Sequence, residues 1–272
     1  RFLFFLLYLT SVYTKNGSAQ NWELLGTVPV HKEIEAVAAH PTDPNLLWIG
    51  SGGGIYGSSD AGKGWKQLMD LGRKTRINEI HCHEQRIFAL TSQGLFESRD
   101  KGKHWKKSFS ARLAGEQNGL SLKTDPLDPN LMYLGTEKGL FLSRNGGRSW
   151  QKETNELGHQ GIQAVETDRE NHQLFIAAES GLYRILIHED QLDRVYVSRR
   201  QISAEDMEFE AETAEDLDRE PPDAKDQIWV VTQIPYPAAL IAIGTTSGVY
   251  TSDDEGNRWE RLSLSGLRSR NI

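Results

Sequence analysis

Residues 58–65 read Ser-Ser-Asp-Ala-Gly-Lys-Gly-Trp, and the pattern S-x-[DN]-x-G-x-x-W that they contain occurs four times in the 272 residues. Four matches are far beyond chance, and self-similarity of this kind is the usual sign of a repeat architecture. The fixed positions of the four copies are Ser58, Asp60, Gly62 and Trp65; Ser98, Asp100, Gly102 and Trp105; Ser143, Asn145, Gly147 and Trp150; and Ser252, Asp254, Gly256 and Trp259.

Each copy follows a short phrase of glycine, an aliphatic residue and an aromatic residue, as in Gly54-Ile-Tyr56. The phrase also occurs once without the motif, at Gly181-Leu-Tyr183. The five glycines of the phrase are separated by 40, 45, 42 and 67 residues, so the repeating unit is 40 to 45 residues long with one longer interval.

Each unit contains four stretches with the pattern of short β-strands. The first alternates apolar and polar residues, as in Ile77-Asn-Glu-Ile80, which is typical of a strand with one buried face. The second is apolar, as in Leu46-Leu-Trp-Ile-Gly50. The glycine-aromatic phrase is the third strand, the motif is the next turn, and its Trp begins the fourth strand. We therefore predict an all-β protein, a β-propeller of four-stranded antiparallel blades.

The residue types of the motif suit a turn. An Asp or Asn side chain accepts hydrogen bonds from nearby backbone N–H groups, Gly adopts a positive φ, and Trp covers apolar surface. A metal-binding or acid role for these carboxylates is the alternative, but one carboxylate on each separate hairpin does not converge on a shared site. Asn145 replaces Asp in the third copy, which favours the structural interpretation.

The S-x-D-x-G-x-x-W motif resembles the Asp-box, or bacterial neuraminidase repeat, of a β-propeller superfamily. The likeness extends over residues 22–272. Sialidases, xyloglucan-cleaving glucanases, sortilin-type receptors and photosystem II assembly and stability factors share the motif, so the resemblance implies the fold but no particular activity. It also implies that the motif lies on an outer hairpin, away from the ligand channel.

Five blades are visible in the sequence, and two short segments are left over. The blades are expected at 34–70, 77–110, 120–155, 162–198 and 228–263. Trp22-Glu-Leu-Leu25 has the pattern of a fourth strand without a blade before it, and Ser269-Arg-Asn-Ile272 that of the start of a first strand. Because propellers often close by adding a terminal strand to the last blade, we expect an incomplete ring of six to eight blades. The alternative is a closed ring of five blades with loose ends.

An acidic insert separates the fourth and fifth blades, at about residues 188–226. It contains 14 acidic and five basic residues, which is a net charge of −9. Few apolar anchors and a double Pro predict a solvated loop, and the spacing of its carboxylates does not match a calcium-binding loop. A docking segment for a basic partner is the alternative.

The N-terminal segment has the plan of a signal peptide. Arg1 precedes an apolar run of about 12 residues, which is shorter than the ~20 needed to cross a bilayer, and Gly17-Ser-Ala19 is a small-x-small cleavage site. We predict a leader over 1–19 and a propeller over 20–272, exported to the periplasm or the extracellular space, with no stable membrane span after cleavage. A buried N-terminal element and an uncleaved anchor are the alternatives.

Composition excludes several classes of protein. A net charge of −7 gives no electrostatic footprint for phosphate backbones, so we expect no nucleic acid partner. With one Cys, and with 25 Gly against 9 Pro, the chain is neither a disulfide scaffold nor collagen-like.

Two sets of side chains are candidates for binding or metal chemistry. His81-Cys82-His83 contains good zinc ligands, but its Cys aligns with small residues of other blades, so we predict a buried Cys, two His side chains on the opposite face and no metal site. One equivalent position, at the end of the first strands, is occupied by His40, His83, Asp125 and Asp168. These four would lie on a ring, where they could line a channel mouth and contact a ligand, or could cap the turn into the second strand.

The sequence favours a binding protein over an enzyme. By the resemblance, a sialidase would carry an Arg-Ile-Pro phrase, and none occurs; no carboxylate pair outside the motifs is evident for a glucanase either. We predict an exported, non-enzymatic and monomeric propeller without a cofactor, acting as a binding or assembly scaffold for a protein rather than a glycan. The resemblance is nearest to the photosystem II assembly-factor-like and sortilin-like members. The alternative is the N-terminal part of a secreted glycoside hydrolase of the sialidase or xyloglucanase type.

Overall fold

The structure is a computed structural model that describes residues 33–83, 85–168, 172–187, 191–197, 227–234, 240–246 and 248–262. Four expected segments lie wholly or mostly outside these residues: the leader 1–19, the strand at 22–25, the acidic insert apart from 191–197, and the terminal segment 269–272.

The described residues form five four-stranded sheets, and in each sheet the strands lie side by side in chain order. Blade 1 contains β1 (Ala36–Ala39), β2 (Leu47–Ser51), β3 (Gly54–Ser58) and β4 (Lys66–Asp70). Blade 2 contains β5 (Ile77–His83), β6 (Arg86–Thr91), β7 (Gly94–Ser98) and β8 (Lys106–Phe109). Blade 3 contains β9 (Gly119–Thr124), β10 (Met132–Thr136), β11 (Gly139–Ser143) and β12 (Gln151–Lys152). Blade 4 contains β13 (Ile162–Asp168), β14 (Gln173–Ala178), β15 (Gly181–Leu186) and β16 (Gln191–Val197). Blade 5 contains β17 (Ile228–Ile234), β18 (Leu240–Thr245), β19 (Val249–Ser252) and β20 (Glu260–Arg261).

The described strand pairs are antiparallel, so the predicted all-β class and four-stranded antiparallel blades are confirmed. Helical structure among the described residues is limited to α1 (Ala114–Gln117) and a 3-10 helix at Glu156–Gly158. The start of the fourth strands differs by one residue from the prediction. β4 begins at Lys66 because Trp65 still belongs to the turn, where its indole N–H donates a hydrogen bond to the Gly62 carbonyl at 3.0 Å.

The hydrophobic core lies between the blades. Each of four buried clusters joins two consecutive blades, because second and third strands are apolar on both faces and each face packs against a neighbouring sheet. Between blades 2 and 3, for example, Phe88 and Leu90 of β6 pack with Leu122 of β9 and Leu134 of β10, all fully buried. This sheet-on-sheet packing explains why the second strands do not show an alternating pattern.

The first strands lie closest to one another along the series of blades. β1 contacts β5, β5 contacts β9, β9 contacts β13, and β13 contacts β17. Second strands also approach the first strand of the next blade closely. A Cβ added to Gly50 of β2 would lie 2.4 Å from Cγ2 of Ile77 on β5, and one added to Gly135 of β10 would lie 2.6 Å from Cγ2 of Ile162 on β13. The first strands therefore form the inner edge of the blades, where a propeller has its channel.

Candidate binding site on the inner strands

The motif residues lie in the turns between third and fourth strands. In the second copy, Ser98 Oγ accepts a hydrogen bond from the Gly102 N–H at 2.8 Å and donates one to Asp100 Oδ1 at 2.9 Å. Asp100 Oδ1 in turn accepts the N–H of His104 at 2.8 Å. The equivalent contacts recur in the other three turns at 2.8 to 3.1 Å. The motif thus satisfies its own backbone donors.

The carboxylates of the first two motif turns, Asp60 and Asp100, are held in their ionised form. The backbone N–H and the side chain of His104 lower the pKa of Asp100 to about 2. The backbone N–H of Gly64, followed by the Ser58 hydroxyl, lowers the pKa of Asp60. Because these oxygens are used within their own turns, the geometry agrees with a structural role for them.

The motif glycines also connect neighbouring blades. A Cβ added to Gly102, whose φ is +88°, would lie 2.6 Å from Cδ1 of Leu68 on the preceding blade. At the next turn, Ser108 of the preceding blade donates a hydrogen bond from its Oγ to the Gly147 carbonyl at 2.7 Å. The motif therefore needs glycine for two reasons, a left-handed backbone and close packing between sheets.

The four residues predicted at the channel mouth occupy the ends of the first strands. His40 is half-buried, and its Nδ1 accepts hydrogen bonds from the N–H groups of Thr42 and Asp43 at 3.3 and 3.2 Å. His83 is half-buried at the end of β5, with its ring parallel to that of His81.

The two aspartates at this position are buried, at 1% exposure for Asp125 and 3% for Asp168. Asp125 Oδ1 accepts the N–H groups of Leu127 and Asp128 at 2.8 Å, and Oδ2 lies 3.1 Å from Nε2 of His172 in the next blade. Turn capping thus uses Nδ1 of His40 and Oδ1 of Asp125. Ligand contact at the four positions stays a prediction.

A second set of side chains, of which the sequence brought forward only His81, meets on the inner strands of three consecutive blades. It consists of Glu79 and His81 on β5, Lys123 on β9 and Glu166 on β13, and we name it the inner cluster. Its side chains are 28%, 18%, 19% and 15% exposed in that order, so each is largely buried but still reaches solvent.

Glu79 connects two blades. Its Oε2 accepts a hydrogen bond from the backbone N–H of Leu122 at 3.1 Å, and its Oε1 lies 4.0 Å from Nδ1 of His81. Burial raises the pKa of Glu79 from 4.5 to about 7, with Glu166 adding to the shift, although Lys123 and the Leu122 N–H lower it. A carboxyl group that titrates near neutral pH at the inner edge is a candidate functional group.

His81 is neutral at pH 7 in this setting. Burial is the main reason that the pKa of His81 is lowered from 6.5 to about 3, and the electrostatic effects of Lys123 and His83 lower it further. The ring of His81 stacks on that of His83 at 6.4 Å between centroids, and its Nε2 is buried without a hydrogen-bond partner. A buried, unpaired ring nitrogen costs free energy unless a ligand or water meets it.

Lys123 and Glu166 complete the cluster with an ion pair at 3.2 Å between Nζ and Oε2. The pair joins blades 3 and 4, as Glu79 joins blades 2 and 3. The cluster thus places two carboxylates, one ammonium and one neutral imidazole beside one another.

The rings of His81 and His83 lie together on one face of β5, as predicted for a strand. Cys82 packs against the core between blades 1 and 2, but it is partly buried rather than buried as predicted. Burial raises the pKa of the Cys82 thiol to about 11. Among the described residues, no group of three or more His, Cys, Asp or Glu side chains is placed to hold a metal ion. No helix in the described part of the chain has the length and apolar character of a membrane span.

The inner cluster could not be found from the repeat alone. Its members lie two or four residues before the equivalent position that His40, His83, Asp125 and Asp168 occupy, where blade 1 has Ala38 and Ala36. The available signal was the alternation itself, which puts Glu79, His81 and His83 on one face of β5.

One family model matches more than half of the chain. It is described as Sortilin-Vps10, sortilin, neurotensin receptor 3, and it matches residues 53–212. No curated protein sequence matches the chain.

Several solved structures have the same fold. The GH74 xyloglucanase from Xanthomonas campestris is 16% identical with a TM-score of 0.64, over 85% of this chain and 38% of that one. The extracellular domain of a B. thetaiotaomicron protein is 13% identical with a TM-score of 0.65, over 92% of this chain and 31% of that one. YCF48 bound to D1 peptide is 15% identical with a TM-score of 0.59, over 89% of this chain and 71% of that one. The chain thus spans well under half of the first two relatives, and these likenesses establish the β-propeller fold alone.

Proposed function

The chain belongs to the Sortilin-Vps10 family, and we propose that it is an exported, non-enzymatic β-propeller that binds a protein partner along its inner strands. The observation that carries this proposal is the inner cluster. Charged and polar side chains of three blades meet at the inner edge, partly open to solvent, where apolar packing or small residues would suffice for folding.

Two further observations support a protein as the partner. YCF48, a propeller of the same fold, was solved bound to D1 peptide. The first strands also carry exposed apolar side chains, Val37 at 51% and Trp229 at 43%, which are typical of surfaces that contact proteins.

Export and domain organisation are part of the proposal. We propose that residues 1–19 act as a leader, that residues 20–272 form the propeller, and that the part of the acidic insert at 188–226 that follows β16 (Gln191–Val197) is a solvated loop. N-terminal sequencing of the secreted protein tests this: a mature start at Gln20 is expected, whereas an intact N-terminus would contradict a cleaved leader.

Peptide display on the purified chain tests the binding function. We expect a random peptide library to yield a consensus on the wild type that is lost on the inner variant Lys123→Gln/Glu166→Gln, which removes both partners of the ion pair together. The matched outer variant Lys101→Ala/Lys103→Ala, in an exposed motif turn, should keep the consensus. Failure to enrich any peptide, or equal enrichment on both variants, would refute binding at the inner strands.

A glycoside hydrolase is the second candidate, and one observation favours it. Burial raises the pKa of Glu79 to about 7, and Glu166, paired with Lys123, lies in the same cluster. A pair of carboxyl groups is the usual equipment of glycoside hydrolysis. Release of reducing ends from xyloglucan or of sialic acid from sialyllactose, abolished in Glu79→Gln, would establish this activity. The binding proposal expects no release by either protein.

A further inference from the structure

We propose that Glu79 and His81 form a subsite for a cationic side chain of the partner, a lysine ammonium or an arginine guanidinium. The inference rests on the proposed binding function and names the partner chemistry that the inner cluster selects.

Unfilled hydrogen-bonding capacity is the first argument. Glu79 Oε2 already accepts the Leu122 N–H, whereas Oε1 lies 4.0 Å from His81 Nδ1, too far for a hydrogen bond. His81 Nε2 is buried and has no partner. With the imidazole neutral and its proton on Nδ1, facing Glu79, Nε2 is an acceptor. The subsite therefore offers the Oε1 oxygen of Glu79 to a ligand with several N–H donors, beside an imidazole whose buried Nε2 has no partner.

Charge balance is the second argument. When ionised, Glu79 and Glu166 carry two negative charges against the single positive charge of Lys123, since His81 is neutral. The four side chains then have a net charge of −1, which one added cation cancels. Other titratable groups on this side include His83, stacked on His81, the Asp125–His172 pair, which faces the next blade, and the buried Asp168, two residues after Glu166 on the same face of β13.

The same geometry disfavours other ligands. An anionic ligand would lie beside both carboxylates, which would repel it. Burying its negative charge without a compensating positive charge would cost free energy. A metal ion would need more ligands than the described residues bring together at any one place. Ammonium and guanidinium groups supply the multiple donors, and charge-assisted hydrogen bonds to a carboxylate are the stronger kind.

Binding of a fluorescent oligolysine peptide, measured by anisotropy at about pH 8, tests the subsite. Its fully acetylated counterpart is the probe without charge. We expect the oligolysine to bind, the acetylated peptide not to bind, and Glu79→Gln to weaken binding about tenfold, the loss typical of one charge-assisted hydrogen bond. Glu156→Gln, which removes an exposed carboxylate from the 3-10 helix, is the control and should bind like the wild type.

Equal binding by the wild type, Glu79→Gln and Glu156→Gln would mean diffuse attraction to an acidic protein and would overturn the subsite. A second measurement is independent of affinity: saturating oligolysine should lower the pKa of Glu79 in a carboxyl carbon NMR titration, and an unchanged pKa would also overturn it. If library peptides bind the inner strands, but Glu79→Gln does not weaken oligolysine binding and oligolysine does not shift the pKa of Glu79, the subsite is wrong and the proposed function stands. If no library peptide binds at all, the proposed function itself fails.

Discussion

Replacing Glu79 with glutamine is expected to change how the free energy of unfolding depends on pH. Burial, more than any other cause, raises the pKa of Glu79 from 4.5 to about 7. Between these two values the folded protein keeps a proton that the unfolded chain has released. By linkage, Glu79 makes the free energy of unfolding fall as pH rises through this window, and the loss is complete above the folded-state pKa.

The size of the effect follows from the shift. A rise from 4.5 to about 7 corresponds to ~3 kcal/mol at most. Because 28% of the side chain is exposed, solvent screens part of it, and we expect about 1 to 2 kcal/mol. Glutamine is uncharged at every pH, and its side-chain oxygen can still accept the Leu122 N–H. The free energy of unfolding of Glu79→Gln should therefore equal that of the wild type near the unperturbed pKa of 4.5. At about pH 8 it should be higher than that of the wild type by about 1 to 2 kcal/mol.

His81 contributes a slope of opposite sign. Burial is the largest cause that lowers its pKa from 6.5 to about 3, so the unfolded chain binds the extra proton and the free energy of unfolding rises with pH between these values. In the wild type the two slopes oppose each other where the windows overlap. Comparing Glu79→Gln with the wild type at each pH largely cancels the His81 contribution and isolates that of Glu79.

Urea unfolding followed by Trp fluorescence, at about pH 4.5, 6 and 8, measures the difference. Glu97→Gln is the control of opposite sign. Burial alone would raise the pKa of Glu97, but hydrogen bonds from Arg86 and Arg99 lower it, so this variant should be less stable than the wild type at about pH 8. A stability difference between Glu79→Gln and the wild type that is constant across pH would refute the reasoning.

Three other substitutions test how the blades are held together, each by urea unfolding. Ser98→Ala should cost about 1 to 3 kcal/mol because the buried N–H of Gly102 loses its acceptor; a loss below about 0.5 kcal/mol would contradict the role of the motif serine. Gly102→Ala should lower the free energy of unfolding by about 1 to 3 kcal/mol, because the backbone is strained and the new methyl group clashes with Leu68. Adding Leu68→Ala should relieve the clash but not the strain. If the effects of the two substitutions on the free energy of unfolding simply add, the blades are not in contact there. His172→Ala should cost about 1 to 3 kcal/mol, since the buried Asp125 carboxylate loses a partner in the next blade; an unchanged midpoint would show that the pair contributes nothing.

The fold could be predicted from the sequence because its determinants are local and repeated. The motif spans eight residues, and its hydrogen bonds join residues two to four positions apart. Turn chemistry at that range is legible in a single sequence. The error at Trp65, where the strand begins one residue later, is of the same local kind: the indole N–H is used inside the turn before the strand starts.

The inner cluster could not be predicted in this way because its contacts join different repeats. The hydrogen bond from Leu122 to Glu79 spans 43 positions in sequence, and the Lys123–Glu166 pair forms across a comparable separation. Nothing within one blade indicates which residue of the next will face it. Alternation along β5 predicts that Glu79 and His81 share a face, but only the packing of β5 on β9 brings Lys123 beside them.

The difference between these two cases bears on where function lies in a repeat protein. Positions that are alike in four of the five blades, such as the motif serine and glycine, are fixed by the requirements of the turn and the sheet interface. A ligand is recognised by side chains that break the repeat, because identical blades would present identical surfaces. The inner first strands satisfy this condition: the position two residues before His40, His83, Asp125 and Asp168 carries Ala38, His81, Lys123 and Glu166 in successive blades. A binding role should therefore respond to Glu79, His81, Lys123 and Glu166, and a substitution such as Ser98→Ala should reach it only through stability.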